Sequence, residues 1–357
     1  MIPFGMVPGG STGYQIPNSV RLRSSASGNF QRTWGAPTNQ NKFTISVWVK
    51  LGAVLSGSCN IFCLAAASGA LQTSGGNIWF GSGSNWTNSN NLVRDPTAWY
   101  HIVATWDSSL AAASRAKIYL NGVECSYGSN NFQTGTNFNG NTFVHSWGVA
   151  NTNGINWDGA IAYPTFIDGQ ALTPSSFGQA DPNNANNWIP KAYAGTYGAQ
   201  GSAEWFNDGT SATTLGYDRS GNGNNWTASG ISTTAGVTYD WMTDTPTNNY
   251  ATLNPLNYAG SGGITFADAN LALTANNNAF TKSSIPITQK TYYEVTLGAA
   301  ANSAGVMLMT TAAAAGTNSN STDVWYYKDS DGTKYITITP ELLTGRVIQV
   351  AMLSVWQ

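Results

Sequence analysis

The stretch from Trp99 to Tyr127, WYHIVATWDSSLAAASRAKIYLNGVECSY, constrains the fold more than any other. In its first part Tyr100, Ile102, Ala104 and Trp106 fall on one face, and His101 and Thr105 on the other. That is the period-two alternation of a half-buried strand. After a polar link, Asp107 to Arg115, the residues Ala116, Ile118 and Leu120 alternate with Lys117 and Tyr119. Asn121-Gly122 is a strong hairpin signal, because a type I′ turn needs positive φ at both central positions. Val123, Cys125 and Tyr127 carry the return strand. Consecutive strands of this kind predict an all-β, antiparallel molecule.

The rest of the chain agrees. In FTISVWVKL, Phe43, Ile45, Val47 and Val49 face one way and Thr44, Ser46, Trp48 and Lys50 the other. SVRLRSSASGNFQRT (Ser19 to Thr33), NIFCLAAA (Asn60 to Ala67) and NIWFGS (Asn77 to Ser82) read as further strands. The Asn-rich segment Gly83 to Asp95 reads as a surface loop. Asp158 to Gly169 reads as a strand in which Pro164 marks an edge or a bulge. Thr173-Pro174-Ser175-Ser176-Phe177 predicts a short helical turn, with Thr173 as N-cap and Pro174 at the first helical position.

Composition narrows the function. Charged residues make up 9 % and the formal net charge is −2, so no basic face for nucleic acid is expected. Aromatics at 12 %, with 14 Trp, argue against disorder. Cys59, Cys63 and Cys125 are an odd set without a CxxC pair. On a strand Cys59 and Cys63 stand about 13 Å apart, too far for a disulfide, and all three read as small apolar fillers. His101 and His145 lie far from Cys59 and Cys63 in sequence, which disfavours zinc. No apolar run reaches the roughly 18 residues of a membrane span, and the N-terminal stretch MIPFGMVPGGSTGYQIP does not have the pattern of a signal peptide.

WYHIVATWD followed by KIYLNGVE resembles the central hairpin of laminin G-like, concanavalin A-type jelly rolls. DGAIAYPTFIDGQALTPSSFG (Asp158 to Gly178), and YDRSGNGNNWTASG leading to DTPTNNYATLNPL (Tyr217 to Leu256), resemble a subset of these domains in structural proteins of marine tailed phages. KTYYEVTL (Lys290 to Leu297) and GRVIQVAMLSVWQ are similar to strands of SPRY-type sandwiches, and DVWYYKDSDGTKYITI reads as a strand pair around Asp331-Gly332. The resulting organisation is an N-terminal arm at 1–16, a laminin G-like jelly roll at 17–190, a connector at 191–260 and a partial SPRY-like β module at 261–357. The arm either docks a neighbouring subunit or frays. The strands that complete a SPRY sandwich are missing before Gln357. The module is therefore truncated or completed by a partner, with Trp356 closing an open edge strand.

The resemblance implies a non-enzymatic virion protein made without a leader in the host cytoplasm: a surface appendage, fibre or decoration subunit. Its partners would be other virion proteins, further copies in a trimer or higher ring, and a host glycan. Enzymatic alternatives find little support. Glycoside hydrolysis needs two carboxylates about 5–9 Å apart, and none of Glu124, Glu204, Glu294 and Glu341 has an acid partner two residues away. No GxSxG elbow accompanies His101 or His145, and His101 reads as a satisfied sheet histidine. The family admits calcium at the sandwich rim, for which Asp107 and Asp158 are the candidates, although an isolated carboxylate suits a turn cap better. Asp329-Ser330-Asp331-Gly332 lacks the distal glutamate of a calcium loop. For sugar binding, Asn85 and Trp86 in their expected loop, and Trp157 and Asp158 before a strand, are the candidates at a shared rim; the competing role for either indole is packing the core edge. Two rival functions remain: a secreted carbohydrate-binding module or glycan-degrading enzyme component, and an architectural subunit without ligand.

Overall fold

The computed structural model describes residues 13–52, 57–63, 69–82, 85–130, 140, 143–149, 156–260, 263–275, 279–285, 303–310, 324–328, 334–337 and 348–355. The chain forms two compact units that meet in sequence between Asn249 and Tyr250. The strands are antiparallel throughout, as the alternating sequence predicts.

The first unit is a sandwich of two sheets. One sheet runs Val123–Glu124, Ala116–Leu120, Trp99–Asp107, Lys42–Leu51, Gly159–Asp168, Ser19–Leu22, Trp241–Met242, with Ser202–Ala203 paired to Gly159–Asp168. The other runs Tyr127–Asn130, Asn85–Leu92, Asn77–Ser82, Gly69–Ser74, Ser58–Cys63, Val144–Trp147, Asn29–Thr33, Thr227–Ser229. Phe43, Ile45, Val47 and Val49 face inward with Ile102, Ala104 and Trp106, and meet Phe30, Phe62, Leu71, Ile78, Phe80 and Trp147 from the second sheet. The rings interlock: Phe43 meets Phe80 at 6.1 Å and Phe62 meets Phe166 at 5.9 Å. Each such side chain contributes about 1.5–3 kcal/mol on leaving water.

The hairpin at Asn121-Gly122 has φ of 48° and 84°, as a type I′ turn requires. Pro164 produces a bulge, not an edge. Ala162 pairs with Trp48 and Thr165 with Ser46, so Tyr163 and Pro164 together oppose Val47 in a central strand, and Tyr163 takes φ 48°. Two expectations are corrected. The segment 85–92 is a strand and not a loop, because cross-strand pairing overrides the turn preference of its asparagines. Residues 191–249 are not a connector, since they supply strands to both sheets. The expected short helical turn is present as the 3-10 turn Pro174–Ser176, with Thr173 at the N-cap position and Pro174 in its first turn, although the Thr173 side chain makes no cap hydrogen bond.

The half-buried alternation also proves incomplete. Every residue from Phe43 to Leu51 is buried, and so is every residue from Gly159 to Asp168. A further layer, residues 172–205, covers the outer face of the first sheet. There Trp48, Trp99, Tyr163 and Ala203 pack with Trp188, Tyr197 and Trp205, and Val103 and Ile167 pack with Phe177. Trp188 lies in a slot bounded by Gly122 and Gly178. A Cβ at Gly122 would come within 2.5 Å of its ring, and one at Gly178 would collide with its Nε1. Gly122→Ala is therefore expected to lower stability by about 1–3 kcal/mol, read as a drop in Tm, with Gly75→Ala, whose Cβ meets no atom, as the control for positive φ alone.

Several carboxylates fasten this layer to the sheets. Asp168 accepts from the amides of Thr38 (2.6 Å), Asn39 (3.3 Å) and Gln200 (3.0 Å). Asp218 accepts from Ala203 N, Ser220 N and Oγ, and Asn224 N, while Asn222 and Asn224 bind the carbonyls of 198–201. The cysteines are unbridged, and burial pushes the Cys59 and Cys125 thiols up to about 11.

In the second unit one sheet runs Leu253–Gly260, Ala279–Ser283, Ile348–Val355, Ser303–Thr310, Val324–Lys328, Lys334–Thr337, beside a hairpin of Ile264–Ala267 and Ala272–Ala275. The strand expected at an open edge, Ile348–Val355, is interior, with a partner on each side. Val324–Lys328 and Lys334–Thr337 pair as expected. Lys290–Leu297, Asp329–Gly332 and Trp356 lie outside the described residues.

Candidate functional site

The second sheet has one outer face that the further layer does not cover. Along its strands Leu71, Thr73, Ile78, Phe80, Thr87 and Ser89 point inward at 0 % exposure. The alternate positions Gln72, Trp79, Trp86 and Asn88 therefore face outward, and each is half-buried. Register brings them together: Gln72 opposes Trp79, Trp79 opposes Asn88, and Gly81 opposes Trp86. The two indoles meet edge to face at 6.3 Å and 69°. A Cβ at Gly81 would collide with the Asn85 carbonyl, so glycine lets the 85–86 backbone close over this position. Asn88 Oδ1 accepts from Ser129 N (2.6 Å) and Oγ (2.8 Å), which fixes the amide and leaves Nδ2 without a partner among the described residues. Gln72 likewise makes no side-chain hydrogen bond among them. Indole surface beside amides that can both donate and accept suits a ligand with an apolar face edged by hydroxyls.

Of the residues singled out from sequence, Trp86 is on this face, whereas Asn85 has the strand parity of the inward-pointing Thr87 and Ser89 and so lies at the start of the strand on the other face. Trp157 is not available to a ligand: it has 0 % exposure inside the core. Asp158 accepts from Ser24 N (3.2 Å) and Oγ (3.4 Å), and it influences Cys59 at the Ser58 end of the second sheet, whereas Asn85 pairs with Ser82 at the opposite end. The two pairs do not share a rim. Trp79 and Gln72 were missed from sequence, although the alternation of NIWFGS against buried Ile78 and Phe80 marks Trp79 as outward.

The calcium candidates are also apart. Asp107 pairs with Lys42 and Gly159 with Leu51, so Asp107 and Asp158 lie at opposite ends of one strand, about 30 Å apart. Burial alone would raise the Asp107 carboxyl, but hydrogen bonds from Lys42 (2.9 Å) and from Ser109 N (3.0 Å) and Oγ (2.5 Å) hold it below the ordinary value. Both aspartates fit turn capping. Among the described residues no three His, Cys, Asp or Glu side chains converge as a metal site would need.

His101 is fully engaged. Trp188 Nε1 donates to its Nδ1 at 2.9 Å, so Nε2 carries the proton and donates to Ser46 Oγ at 2.9 Å. Its ring lies between Trp48 (4.7 Å) and Trp188 (6.3 Å), and burial lowers its pKa to about 3. His145 stacks on Trp34 at 3.6 Å with no exposed surface. Glu124 is exposed and binds Lys117 at 3.0 Å. Glu204 is 1 % exposed, neither carboxyl oxygen has a hydrogen-bond partner of good geometry among the described residues, and burial pushes its pKa well above the usual range, with Asp218 acting in the same direction and Ser202, Arg32 and Trp226 against it. Nearby, the Arg32 guanidinium stacks over Trp34 and Trp226 at 5.6 and 5.7 Å, and burial lowers its pKa to about 10. Glu294 and Glu341 lie outside the described residues.

Among solved structures, the chain is similar to a candidate carbohydrate binding protein from Bacteroides ovatus ATCC 8483, at 14 % identity and TM-score 0.42 over 60 % of this chain and 58 % of that one. It thus spans little more than half of that relative. It is also similar to a heptameric SAP-like pentraxin from Limulus polyphemus, at 17 % identity and TM-score 0.31 over 45 % of this chain and 75 % of that one. A third similarity is to domain 4 of AbnA, an extracellular arabinanase from Geobacillus stearothermophilus solved with arabinotriose, at 26 % identity and TM-score 0.30 over 38 % of this chain and 64 % of that one. The sequence has no match among curated proteins. The family that does emerge lies in the sandwich: residues 24–177 match the Laminin_G_3 family model of the concanavalin A-like lectin/glucanases superfamily.

Proposed function

We propose that the sandwich is a non-catalytic glycan-binding module whose contact surface is the outer face of the second sheet. The observation that carries this reading is the edge-to-face pair Trp79 and Trp86 flanked by the Gln72 amide and by the Nδ2 of Asn88, whose Oδ1 is held by Ser129. The superfamily match at 24–177 supports it. On the resemblance of Asp158–Gly178 and Tyr217–Leu256 to structural proteins of marine tailed phages, we further propose that the module is displayed on a virion, in several copies, where it meets host glycans and neighbouring virion proteins. Trp79→Ala and Trp86→Ala are each expected to weaken binding on a glycan array roughly tenfold or more, which is about 1.4 kcal/mol, while circular dichroism stays native. Binding unchanged in both variants would remove this face from consideration. Sugar release abolished by replacing a single carboxylate would instead establish the enzymatic reading.

One observation favours a purely architectural subunit. Asp168 and Asp218, the most distinctive acids of those two segments, are spent on backbone amides. Absence of binding across a broad array would select that role.

A further inference from the structure

Lys50 stands on the outer face of the first sheet and is 3 % exposed. Its register neighbours are Trp99 and Ala160, with Trp48 two residues back on the same face, so its stem lies in an apolar wall. Its Nζ is 2.8 Å from Asp244 Oδ2 and 2.7 Å from Asn249 Oδ1. Asp244 Oδ1 accepts from Trp99 Nε1 at 2.9 Å. Asn249 Nδ2 donates to the Thr97 carbonyl at 3.0 Å, which turns the amide so that its carbonyl meets the amine. A buried lysine needs one counter-ion for its charge. This one holds, in addition, a primary carboxamide at contact distance and a carboxylate able to take its proton. Burial lowers the Lys50 pKa, against the pull of Asp244, which favours the nucleophilic neutral amine.

We propose that Lys50 and Asn249 join in an intramolecular isopeptide bond, with Asp244 carrying the proton. Nζ passes a proton to Asp244 Oδ2, and the freed lone pair attacks Cγ of Asn249 to give a tetrahedral adduct. Asp244 then relays a proton to Nδ2, the Cγ–Nδ2 bond breaks, and the Nζ–Cγ bond remains as a secondary amide. The lysine ammonium and the carboxamide become one amide and one ammonium ion, so charge and atoms balance without an oxidant or cofactor. The bond ties the last residue of the first unit to a central strand, so pull on the chain beyond Tyr250 is met at Lys50 and not by strand unzipping. This inference is independent of the glycan reading.

The test is intact mass under denaturing conditions on the purified full chain, followed by tryptic mapping. The wild type is expected to be lighter than its sequence by one ammonia and to yield a branched peptide joining the Lys50 and Asn249 segments, with no cleavage after Lys50. Asn249→Ala, which keeps the Lys50–Asp244 pair, is expected to show its full sequence mass and no branched peptide, and Asp244→Asn the same. Should Asp244→Asn fail to fold, Asn249→Ala decides alone. A wild type at full sequence mass after prolonged incubation would overturn the proposal. So would an ammonia deficit that persists in Asn249→Ala, because the loss would then come from succinimide formation elsewhere, as at Asn121-Gly122.

Discussion

Asp240→Ala should destabilise the first unit by roughly 3–5 kcal/mol, the cost of removing one partner from a buried ionic cluster. Asp240 has no exposed surface. Its Oδ1 accepts from Arg21 Nε and Arg23 Nε, both at 2.9 Å, and its Oδ2 from Arg23 Nη2 at 3.0 Å and Ser232 N at 2.8 Å. The same residue's carbonyl accepts from Arg21 N at 2.9 Å. Asp240 thus pins the returning segment against Ser19–Leu22, just before Trp241–Met242 adds to the sheet edge. Without the carboxylate, Arg21 keeps only the Val237 and Tyr239 carbonyls, and its charge stays buried at 4 % exposure. The measurement is the urea midpoint at constant m. Arg21→Met combined with Asp240→Leu is expected to recover part of the loss, since an apolar pair of similar volume avoids the desolvation cost. A single variant within about 1 kcal/mol of the wild type would mean that the arginines reach solvent on losing their partner.

Asp240 also shows where sequence reasoning stops. The hairpin at Asn121-Gly122 and the inward rows from Phe43 to Val49 and from Ile102 to Trp106 were legible, and Pro164 was narrowed to an edge or a bulge, because each rests on residues within a few positions of one another. The layer over the first sheet was not. Its fastener, and those of the segments that follow it, join residues far apart in the chain: Asp168 to Thr38 and Gln200, Asp240 to Arg21, Asp244 to Lys50 and Trp99. Nothing local to TDTPTNN distinguishes an acid that holds a distant lysine from one that caps its own turn. The same limit applies at the candidate site. Trp86 was singled out as a loop residue and proves to be a strand residue, while Trp157, in an equally polar setting, is wholly inside. Neighbouring polarity does not tell which face a tryptophan takes; register does.

Two buried groups with opposed titrations should offset each other in the wild type as pH rises from about 4.5, and a single substitution at either should change the slope of stability with pH. For His101 burial lowers the folded pKa to about 3, below the unfolded value near 6.5. The unfolded chain therefore takes the proton first, and stability falls as pH drops through that interval, by about 1.4 kcal/mol per unit. For Glu204 burial raises the folded pKa well above 4.5. The unfolded chain then releases its proton first, and stability falls as pH rises from about 4.5, with the same limiting slope of about 1.4 kcal/mol per unit. Glu204→Gln keeps the shape of the neutral acid and removes the second effect, so it should be more stable than the wild type at pH 7 and should lose stability steadily from pH 6.5 to 4.5. His101→Gln sacrifices the contacts to Trp188 and Ser46 and is less stable throughout, yet its stability should now decline as pH rises across the same interval. Asp107, whose carboxyl is held below 3.8, adds its own loss only at more acid pH. Urea unfolding at pH 4.5, 5.5 and 6.5 separates the slopes from the absolute stabilities. If Glu204→Gln follows the wild-type profile, the carboxyl is ionised in the fold and paired with Arg32, and the polar pocket around Trp34 and Trp226 is a buried ion pair and not a site that holds a neutral acid.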